Sequence, residues 1–530
     1  MGFYLLHAGT ALQKSTVGGV LSNITLPTGV TMVSTRPIRA AILNENVVIV
    51  NAVSRNIVLN PTDLSTRLLS ITAPTSALTA AAGAAGVLKG NYRYGYTYAI
   101  LSGTTILTES PMSPISSVVA LNNHQASLTG ITTSATAGVT HRIIYRTVAG
   151  GTEYFEVTKI ADNTTTTYTD NTSDYDLGLL TATDGKGNPP GVDGTDRLRL
   201  IASWKDRLFA SPNEDPDFVY VSGNREIYAW PTANRLTIQS KGEDSTGVTA
   251  FMARRDELVI AKRRKLWKLI GTSPSDFELV LIADGIGAVS QEACLVIRDT
   301  CYFLAEDGFY EYGVDGVKKL SRETVQPWFT TDTYFNRTYF TTAFAKYNQL
   351  YDKIELHLAA AGASTINRWI EYDLKQKVWF GIHKTDAFTP TCAGAMDDTN
   401  GFSTPVIGGS NGFLYRQNQS AATDDTTAID MDVTTKFHSG NTPDIEHFWD
   451  MLTVLNKIES GGGTLTVTAT VGDLDASAQS AQSVDLSNDR TVLPRLGYGR
   501  FAQLRFQNST NNKSVTIYGY EIPFFEVGRR

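Results

Sequence analysis

The sequence lacks several features that common protein classes require. Only three cysteines occur in 530 residues, Cys294, Cys301 and Cys392, which is too few for a disulfide framework and fits no metal-binding spacing. No uninterrupted apolar run reaches the roughly 18 residues of a transmembrane helix. The first seven residues have no basic segment and only a very short apolar stretch, so we expect no signal peptide.

An excess of positive charge is also missing. The chain has 46 Lys and Arg against 53 Asp and Glu, a formal net charge of −7. A protein that holds nucleic acid by neutralising phosphates over its whole surface needs the opposite balance. Helix-favouring runs are scarce, whereas Thr, Ser, Gly and Asn are abundant. This composition predicts an all-β chain, and its length predicts two or three domains.

Catalytic motifs are missing as well. The seven histidines are scattered and form neither His-Glu-x-x-His nor a Cys/His cluster. Adjacent carboxylates occur as Asp256-Glu257 and Glu306-Asp307, but both pairs fall at predicted hairpin turns, where Asp is favoured for turn geometry alone. We therefore expect no enzymatic activity, no cofactor and no metal site.

What the sequence does contain is one unit that recurs between about residues 197 and 416. Each copy has an apolar strand, a turn, a second apolar strand and a later strand with an aromatic residue. The turn residues Asp206, Asp256 and Asp299 mark three copies, at intervals of roughly 40 to 50 residues, the length of a propeller blade. Less regular copies follow at 344–380 and 392–415, and a weaker one is predicted at 38–50, so we expect about five to six blades.

Hairpins in two of these copies carry dipeptides with a preferred turn geometry. Asp307-Gly308 and Asn411-Gly412 occupy equivalent places in their units. A tight two-residue turn requires positive φ, which such dipeptides supply at low cost. Both dipeptides are therefore predicted to be hairpin turns.

Two other β-rich regions accompany the repeats. Residues 74–87, rich in Ala, Gly, Thr and Ser, are typical of a linker, and short strands spaced through 88–180 favour a sandwich of the fibronectin or immunoglobulin type. The predicted fold is all-β: a β-propeller with an inserted sandwich and a C-terminal antiparallel β-domain. Its predicted parts are an N-terminal propeller segment at 1–74, the sandwich at 88–180, propeller blades at 195–418 and the C-terminal domain at 429–530.

One cluster of charge has a possible binding role. Six cations bracket the apolar strand Leu258-Val259-Ile260 and are expected near the two ends of one blade: Arg254, Arg255, Lys262, Arg263, Arg264 and Lys265. One interpretation is contact with DNA phosphates or with an acidic neighbouring subunit. The other is a solvated hairpin pair whose charges keep strand edges from aggregating. The sequence leaves both interpretations open.

The repeated unit resembles the propeller of tail nozzle, or hub, proteins of short-tailed bacteriophages, also described as packaged-DNA stabilisation proteins. The resemblance is carried by DRLF at 206–209, DFVY at 217–220, VTAF at 248–251, DELVI at 256–260, KLW at 265–267, FLAEDGFY at 303–310 and LS at 320–321. The inserted region resembles the sandwich often found in such phage proteins through GNYRY at 90–94, TESP at 108–111 and RIIYRT at 142–147.

The resemblance implies a structural virion protein without catalytic residues. In that family the protein forms a hexameric ring below the portal and adaptor rings, conducts DNA and closes the channel until ejection. The partners implied are further copies of the chain, the portal and adaptor proteins, tail fibre or needle proteins and double-stranded DNA. The implied location is the phage tail, after synthesis in the host cytoplasm. Polar stretches at 184–194 and 420–427 are candidate gate or subunit contacts.

Two other functions fit a propeller of this kind. The main alternative is a receptor- or glycan-binding protein of the virion, with or without glycan cleavage, which predicts a concave pocket of aromatics and paired carboxylates at one end of the ring. The third is an intracellular scaffold, for which the long inserted sandwich is awkward.

Overall fold

The computed structural model describes most of the chain, in two compact units. The described residues are 4–15, 20–178, 180–181, 197–238, 246–322, 325–385, 387–397, 400–417, 423–424, 427–440, 442–459, 462–509 and 515–528. One unit comprises Met1–Ile382 with Cys392–Pro405, and the other comprises His383–Thr391 with Val406–Arg530.

Helix is minor within these ranges. It comprises the short α-helix Gln326–Thr330 and the 3-10 turns Thr232–Asn234 and Arg337–Thr342. None of the helices in the described part of the chain is long and apolar enough to cross a membrane.

Five antiparallel sheets, each made of four consecutive strands, are called blades 1 to 5 here. Blade 1 has the strands Arg39–Leu43, Asn46–Val50, Ile57–Leu59 and Thr66–Leu68. Blade 2 has Leu198–Trp204, Arg207–Pro212, Phe218–Val221 and Arg235–Thr237. Blade 3 has Ala250–Ala253, Leu258–Ala261, Lys265–Ile270 and Glu278–Asp284. Blade 4 has Cys294–Ile297, Thr300–Ala305, Gly308–Gly313 and Gly316–Lys319. Blade 5 has Phe344–Asn348, Lys353–Ala359, Ile366–Asp373 and Val378–Lys384. The all-β, propeller-like fold class is confirmed.

Apolar clusters join successive blades. Trp230 and Leu208 of blade 2 pack with Val48 and Val58 of blade 1. The same arrangement recurs in three further clusters, which join blade 2 to blade 3, blade 3 to blade 4 and blade 4 to blade 5. Burying both faces of a sheet in this way removes far more apolar surface from water than a single sheet could, so each blade depends on its neighbours.

In blades 1, 2 and 4, the hairpins between the first two strands share one backbone geometry. Asn44-Glu45 in blade 1, Lys205-Asp206 in blade 2 and Arg298-Asp299 in blade 4 have positive φ at both residues, between 47° and 63°. This is the geometry of a two-residue type I′ turn, whose twist matches that of the strands. In blade 3, neither Arg255 nor Asp256 has positive φ, so the repeated sequence position adopts a different turn there.

The prediction of a turn at Asp307-Gly308 is wrong in the position of the turn and in its backbone geometry. Gly308 already pairs with Ala305, so the turn consists of Glu306 and Asp307, and no positive φ occurs at 306–308. The glycine is required for space instead, because a Cβ there would lie 2.3 Å from Ser321 Oγ. At the second predicted turn, Gly412 does have positive φ, 84°.

The insertion is a two-sheet β-sandwich that begins earlier than expected. One sheet contains Thr105–Glu109, Tyr94–Ser102, His141–Thr147, Tyr154–Ile160 and Leu180–Thr181, and the other contains Thr167–Asp170, Val119–Thr129 and Thr79–Tyr92. The stretch predicted as a linker at 74–87 is largely strand, because Thr79–Tyr92 pairs with Val119–Thr129 along its length. Its small residues permit close approach: a Cβ at Gly86 would lie 2.5 Å from the Gln125 backbone nitrogen.

Two three-stranded sheets occur in addition to the blades. Tyr4–Ala8, Ala11–Ser15 and Leu21–Asn23 form a three-stranded sheet, and Leu12 and Ile24 of this region pack on Ile49 and Leu59 of blade 1. Pro390–Asp397, Ser403–Gly409 and Leu414–Arg416 form another.

The second unit contains an antiparallel β-sandwich. Its first sheet has Met431–Thr434, Phe501–Asn508, Thr464–Gly472 and Gln482–Asp485, and its second has Arg490–Gly499, Glu446–Asn456, Ile517–Glu521 and Phe524–Gly528. Their core includes Trp449, Val454, Leu465 and Phe506, all buried. The candidate gate stretch 184–194 lies outside the described residues. Of 420–427, only Thr423–Asp424 and Thr427 are described, in a small two-stranded sheet that Ala428 completes.

Candidate functional site

The six cations predicted as a contact surface lie at the two ends of blade 3, as expected. At one end, the Arg254 guanidinium forms an ion pair with Glu257, and its Nε donates to the Asp299 carbonyl oxygen at 2.7 Å. The Arg254 side chain is largely buried and lies 5.1 Å from the centre of the Tyr312 ring. Arg255 beside it is exposed, and its backbone N–H donates to Asp299. This end of blade 3 is therefore fastened to blade 4.

At the other end, acidic residues of both neighbouring blades pair with the cations. The buried Lys262 ammonium lies 2.6 Å from Asp217 Oδ1 of blade 2, and Lys265 lies 3.5 Å from Asp284 of its own blade. Glu306 of blade 4 binds two cations, Arg263 at 3.3 Å and Arg264 at 2.9 Å.

The cluster therefore has a visible structural role in joining three blades. Arg254 and Lys262, with side chains 9% and 1% exposed, have little surface left for a ligand. Arg255, Arg263 and Arg264 remain accessible to solvent. Contact of the cluster with DNA or with a neighbouring subunit stays a prediction, and these three arginines are the ones able to make it.

The adjacent carboxylates also take part in structural contacts. Glu257 pairs with Arg254 and Lys268, and Glu306 pairs with the two arginines of blade 3. Asp307 accepts hydrogen bonds from Lys319 at 2.7 Å and from the Tyr310 hydroxyl. Within the described ranges, no group of His, Cys, Asp and Glu side chains has the arrangement of a metal site.

Blade 5 contains a buried polar cluster that the sequence reasoning missed. Along its strands, Ile354, Leu356 and Leu358 belong to the apolar cluster shared with blade 4. The alternating residues Glu355 and His357 point to the opposite face, because successive strand residues alternate. There, Lys346 Nζ lies 2.9 Å from Glu355 Oε2, and the Asn348 amide donates to Glu355 Oε1 at 2.8 Å.

Electrostatics in this cluster follow from burial. His357 is fully buried, stacks on Phe344 with ring centres 4.5 Å apart, and its Nε2 lies 3.7 Å from Glu355 Oε2. Burial lowers the pKa of His357, although Glu355 acts in the opposite direction. Burial alone would raise the pKa of Glu355, but His357 and Lys346 outweigh it and hold that pKa well below its usual range.

A second feature missed by the sequence reasoning is an exposed row of apolar side chains on the sandwich of the second unit. Phe448 on Glu446–Asn456 lies opposite both Tyr498 and Phe525 on the two flanking strands, so the three rings share one face of the sheet. Tyr498 is 62% exposed and Phe525 60% exposed. Met451 and Val527 nearby are also exposed. We call this surface the aromatic face.

The aromatic face leaves several large apolar side chains accessible to solvent. Tyr498, Phe525, Met451 and Val527 of this face together expose on the order of 400 Å². The core of the sandwich lies on the opposite side of the same strands, where Trp449, Val454 and Leu496 are buried. The largest apolar patch of a typical soluble monomer is of this size and is often a surface that contacts other proteins or ligands. The adjacent Phe524 and Phe525 indicate an aromatic ring on each face of a strand, but the sequence does not show which of the two rings is more exposed.

Comparisons with known proteins give only distant similarity. The sequence matches no protein-family model and no curated protein. Similar solved structures include Hsv2 of Kluyvelomyces marxianus, which is 10% identical over 52% of this chain and 72% of Hsv2, with a TM-score of 0.24. Another is a chain of the mitotic checkpoint complex, 8% identical over 75% of this chain and 96% of that chain, with a TM-score of 0.31. Because both TM-scores are low, the propeller-like fold assignment rests on the sheets described above.

Proposed function

We propose that the chain is a structural subunit of a bacteriophage tail, of the nozzle or hub type. In this role, copies of the chain form a ring below the portal and adaptor rings, conduct DNA and retain it until ejection. The observation that carries the proposal is the aromatic face, because an apolar surface of this size is suited to lie against another protein in an assembly.

The ion pairs of blade 3 support the same role. A ring subunit has to transmit load without changing shape, and blades joined by buried apolar clusters and by Lys262 and Arg254 provide a stiff body. The resemblance in the blade sequences points to the phage tail in particular. Each subunit interface should bury well over about 1,000 Å², and the aromatic face supplies part of that area.

The test is native mass spectrometry with negative-stain imaging of the purified protein, alone and with portal and adaptor rings. We expect a ring with a central hole, either alone or only on the portal complex. Replacing Tyr498 and Phe525 together by Ser should release monomers or abolish docking. The matched control is Tyr175→Ser, which removes a ring that is 96% exposed in the other unit and should change nothing.

A monomer that ignores both rings would overturn the proposal. Circular dichroism of each variant separates loss of assembly from loss of folding. The alternative, a receptor- or glycan-binding propeller of the virion, predicts retention of the monomer on host glycans instead. If such a protein also cleaves the glycan, it requires paired carboxylates. Three of the four carboxylates at 256–257 and 306–307, those of Glu257, Glu306 and Asp307, form ion pairs with cations of the blades.

A further inference from the structure

The second unit contains a cleft of about 640 Å³ on the sheet that lies across the sandwich from the aromatic face. Six of its eight lining residues have polar side chains, Asp432, Thr434, Thr468, Thr470, Gln503 and Arg505, and the other two are Ala478 and Leu504. Polar and apolar atoms contribute similar areas to the exposed lining. This volume falls in the range of small-molecule sites, roughly 300 to 1,000 Å³. The lining differs from that of most such sites, which are predominantly apolar.

Strand register explains why polar groups converge in this cleft. Thr434 and Thr468 lie on either side of Arg505, and Thr470 lies opposite Gln503. The residues between them, Val467, Ala469 and Leu504, face the core. One side of the cleft is formed by Ala478, which pairs with Thr470 in an isolated β-bridge. Thr434 is exposed, and Thr468 and Thr470 are partly exposed, so the hydroxyls of these three residues are accessible to a ligand.

The charges in the cleft limit the class of ligand. The Arg505 guanidinium binds Asp432 through two contacts, one of them Nε to Oδ1 at 2.8 Å, and Gln507 donates to the same carboxylate at 3.2 Å. Hydrogen bonds from Arg505, above all, lower the pKa of Asp432, so this carboxyl is ionised at neutral pH. The arginine is therefore neutralised, and a phosphate or carboxylate ligand would meet the negative Asp432. An apolar ligand would leave the hydroxyls unsatisfied.

From this arrangement we propose that the cleft binds a neutral saccharide. Adjacent hydroxyls of a sugar both donate and accept hydrogen bonds. Threonine hydroxyls offer the same pair of functions, while the fixed Arg505 and Asp432 side chains offer planar donors and acceptors. The proposal concerns a site in the C-terminal sandwich and does not depend on ring formation or on the tail role.

The experiment titrates the full-length protein with neutral oligosaccharides of glucose, mannose and N-acetylglucosamine, and observes binding by saturation-transfer difference NMR. Sialyllactose and inorganic phosphate serve as anionic probes. We expect at least one neutral series to bind with a dissociation constant near or below about 1 mM. Thr468→Val and Thr470→Val should each weaken binding about threefold to tenfold, because each removes one hydrogen bond and keeps the shape of the side chain.

Thr466→Val is the matched control. Thr466 lies on the same strand and the same face but outside the cleft, opposite Gln507, so its replacement should leave affinity unchanged. Absence of binding by every neutral series would overturn the proposal. So would tighter binding of phosphate or sialyllactose, or neutral binding that Thr466→Val weakens as much as the two cleft variants do. Because this experiment measures ligand binding by the purified chain, a failure to bind saccharide would not bear on the proposed ring assembly.

Discussion

The seam between blades 3 and 4 and the second face of blade 5 are both buried, but they are built from opposite chemistry. The seam packs Met252 and Leu266 against Phe303 and Tyr310. The face of blade 5 buries Lys346, Glu355 and His357, each at most 3% exposed. Equal burial therefore does not imply equal sources of stability, since apolar burial is favourable without a specific partner and buried charge is favourable only when it is paired.

The two regions should respond differently to the loss of one side chain. In the seam, a truncated side chain leaves a cavity, and the cost grows with the volume lost. In blade 5, removing one ion leaves its partner buried and uncompensated, whereas removing both ions leaves neither. A second substitution is thus expected to restore the lost stability in blade 5 but not in the seam.

The largest effect is expected from Phe303→Ala in the seam. Phe303 is fully buried and stacks on Tyr310, with ring centres 5.8 Å apart. The free energy of unfolding should fall by about 4 kcal/mol, measured by urea denaturation followed by circular dichroism. Val314→Ala in the same blade is the control, because Val314 is 98% exposed. A loss below about 1 kcal/mol would contradict a tightly packed seam.

A somewhat smaller effect is expected from Lys346→Met in blade 5. The variant leaves Glu355 buried without its ammonium partner, so the free energy of unfolding should fall by about 3 kcal/mol. The double variant Lys346→Met/Glu355→Leu should recover most of this loss, because neither charge remains to be paired. Urea denaturation of both variants measures the two free energies of unfolding and shows whether the second substitution restores stability. If the double variant is less stable than the single one, the cluster stabilises blade 5 in a way that apolar packing cannot replace.

The smallest effect is a pH dependence of stability, to which blade 5 contributes through His357. Because the pKa of His357 is lowered by burial, the unfolded chain gains a proton below about pH 6.5 that the folded chain does not accept. The free energy of unfolding should therefore decrease as pH falls below that value, with a slope of at most about 1.4 kcal/mol per pH unit. Above it, His357 should contribute no slope. Glu355, which faces the imidazole, keeps its charge in this window because its pKa is held well below its usual range.

Denaturation of the wild type and His357→Phe between about pH 5 and pH 7 measures this contribution. The variant should lose part of the slope, while His124→Phe, at a residue that is not buried, should keep it. Equal slopes in the wild type and His357→Phe would show that protonation of His357 does not oppose folding.

Much of the blade architecture could be predicted because its determinants are local. The turn at Lys205-Asp206 joins two strands only a few residues apart, and alternation within each strand shows that a face is buried. The strand at 79–92 was missed because Ala and Gly have low strand propensity. Its partner, Val119–Thr129, is distant in the sequence, and the small residues are explained only by the close approach at Gly86.

The candidate site could be located from the sequence but not interpreted. The six cations lie at the two ends of blade 3, as their spacing predicted. Glu257 and Asp284 of the same blade neutralise part of this charge. The rest depends on Asp217, Asp299 and Glu306, which belong to other blades. No local pattern contains that information, because which acids meet which cations depends on how sheets stack.

By itself, the sequence determined the all-β class, the repeated hairpins and the existence of separate β regions, since strand alternation and turn preference act over a few residues. Only the tertiary structure decided which faces of the sheets are buried and which remain exposed to solvent. Alternation shows that Phe448 and Trp449 point to opposite sides of a strand, but only the packing of a second sheet leaves Trp449 buried and the Tyr498–Phe448–Phe525 row uncovered. Burial is a property of pairs of surfaces, and the second surface comes from a distant part of the chain.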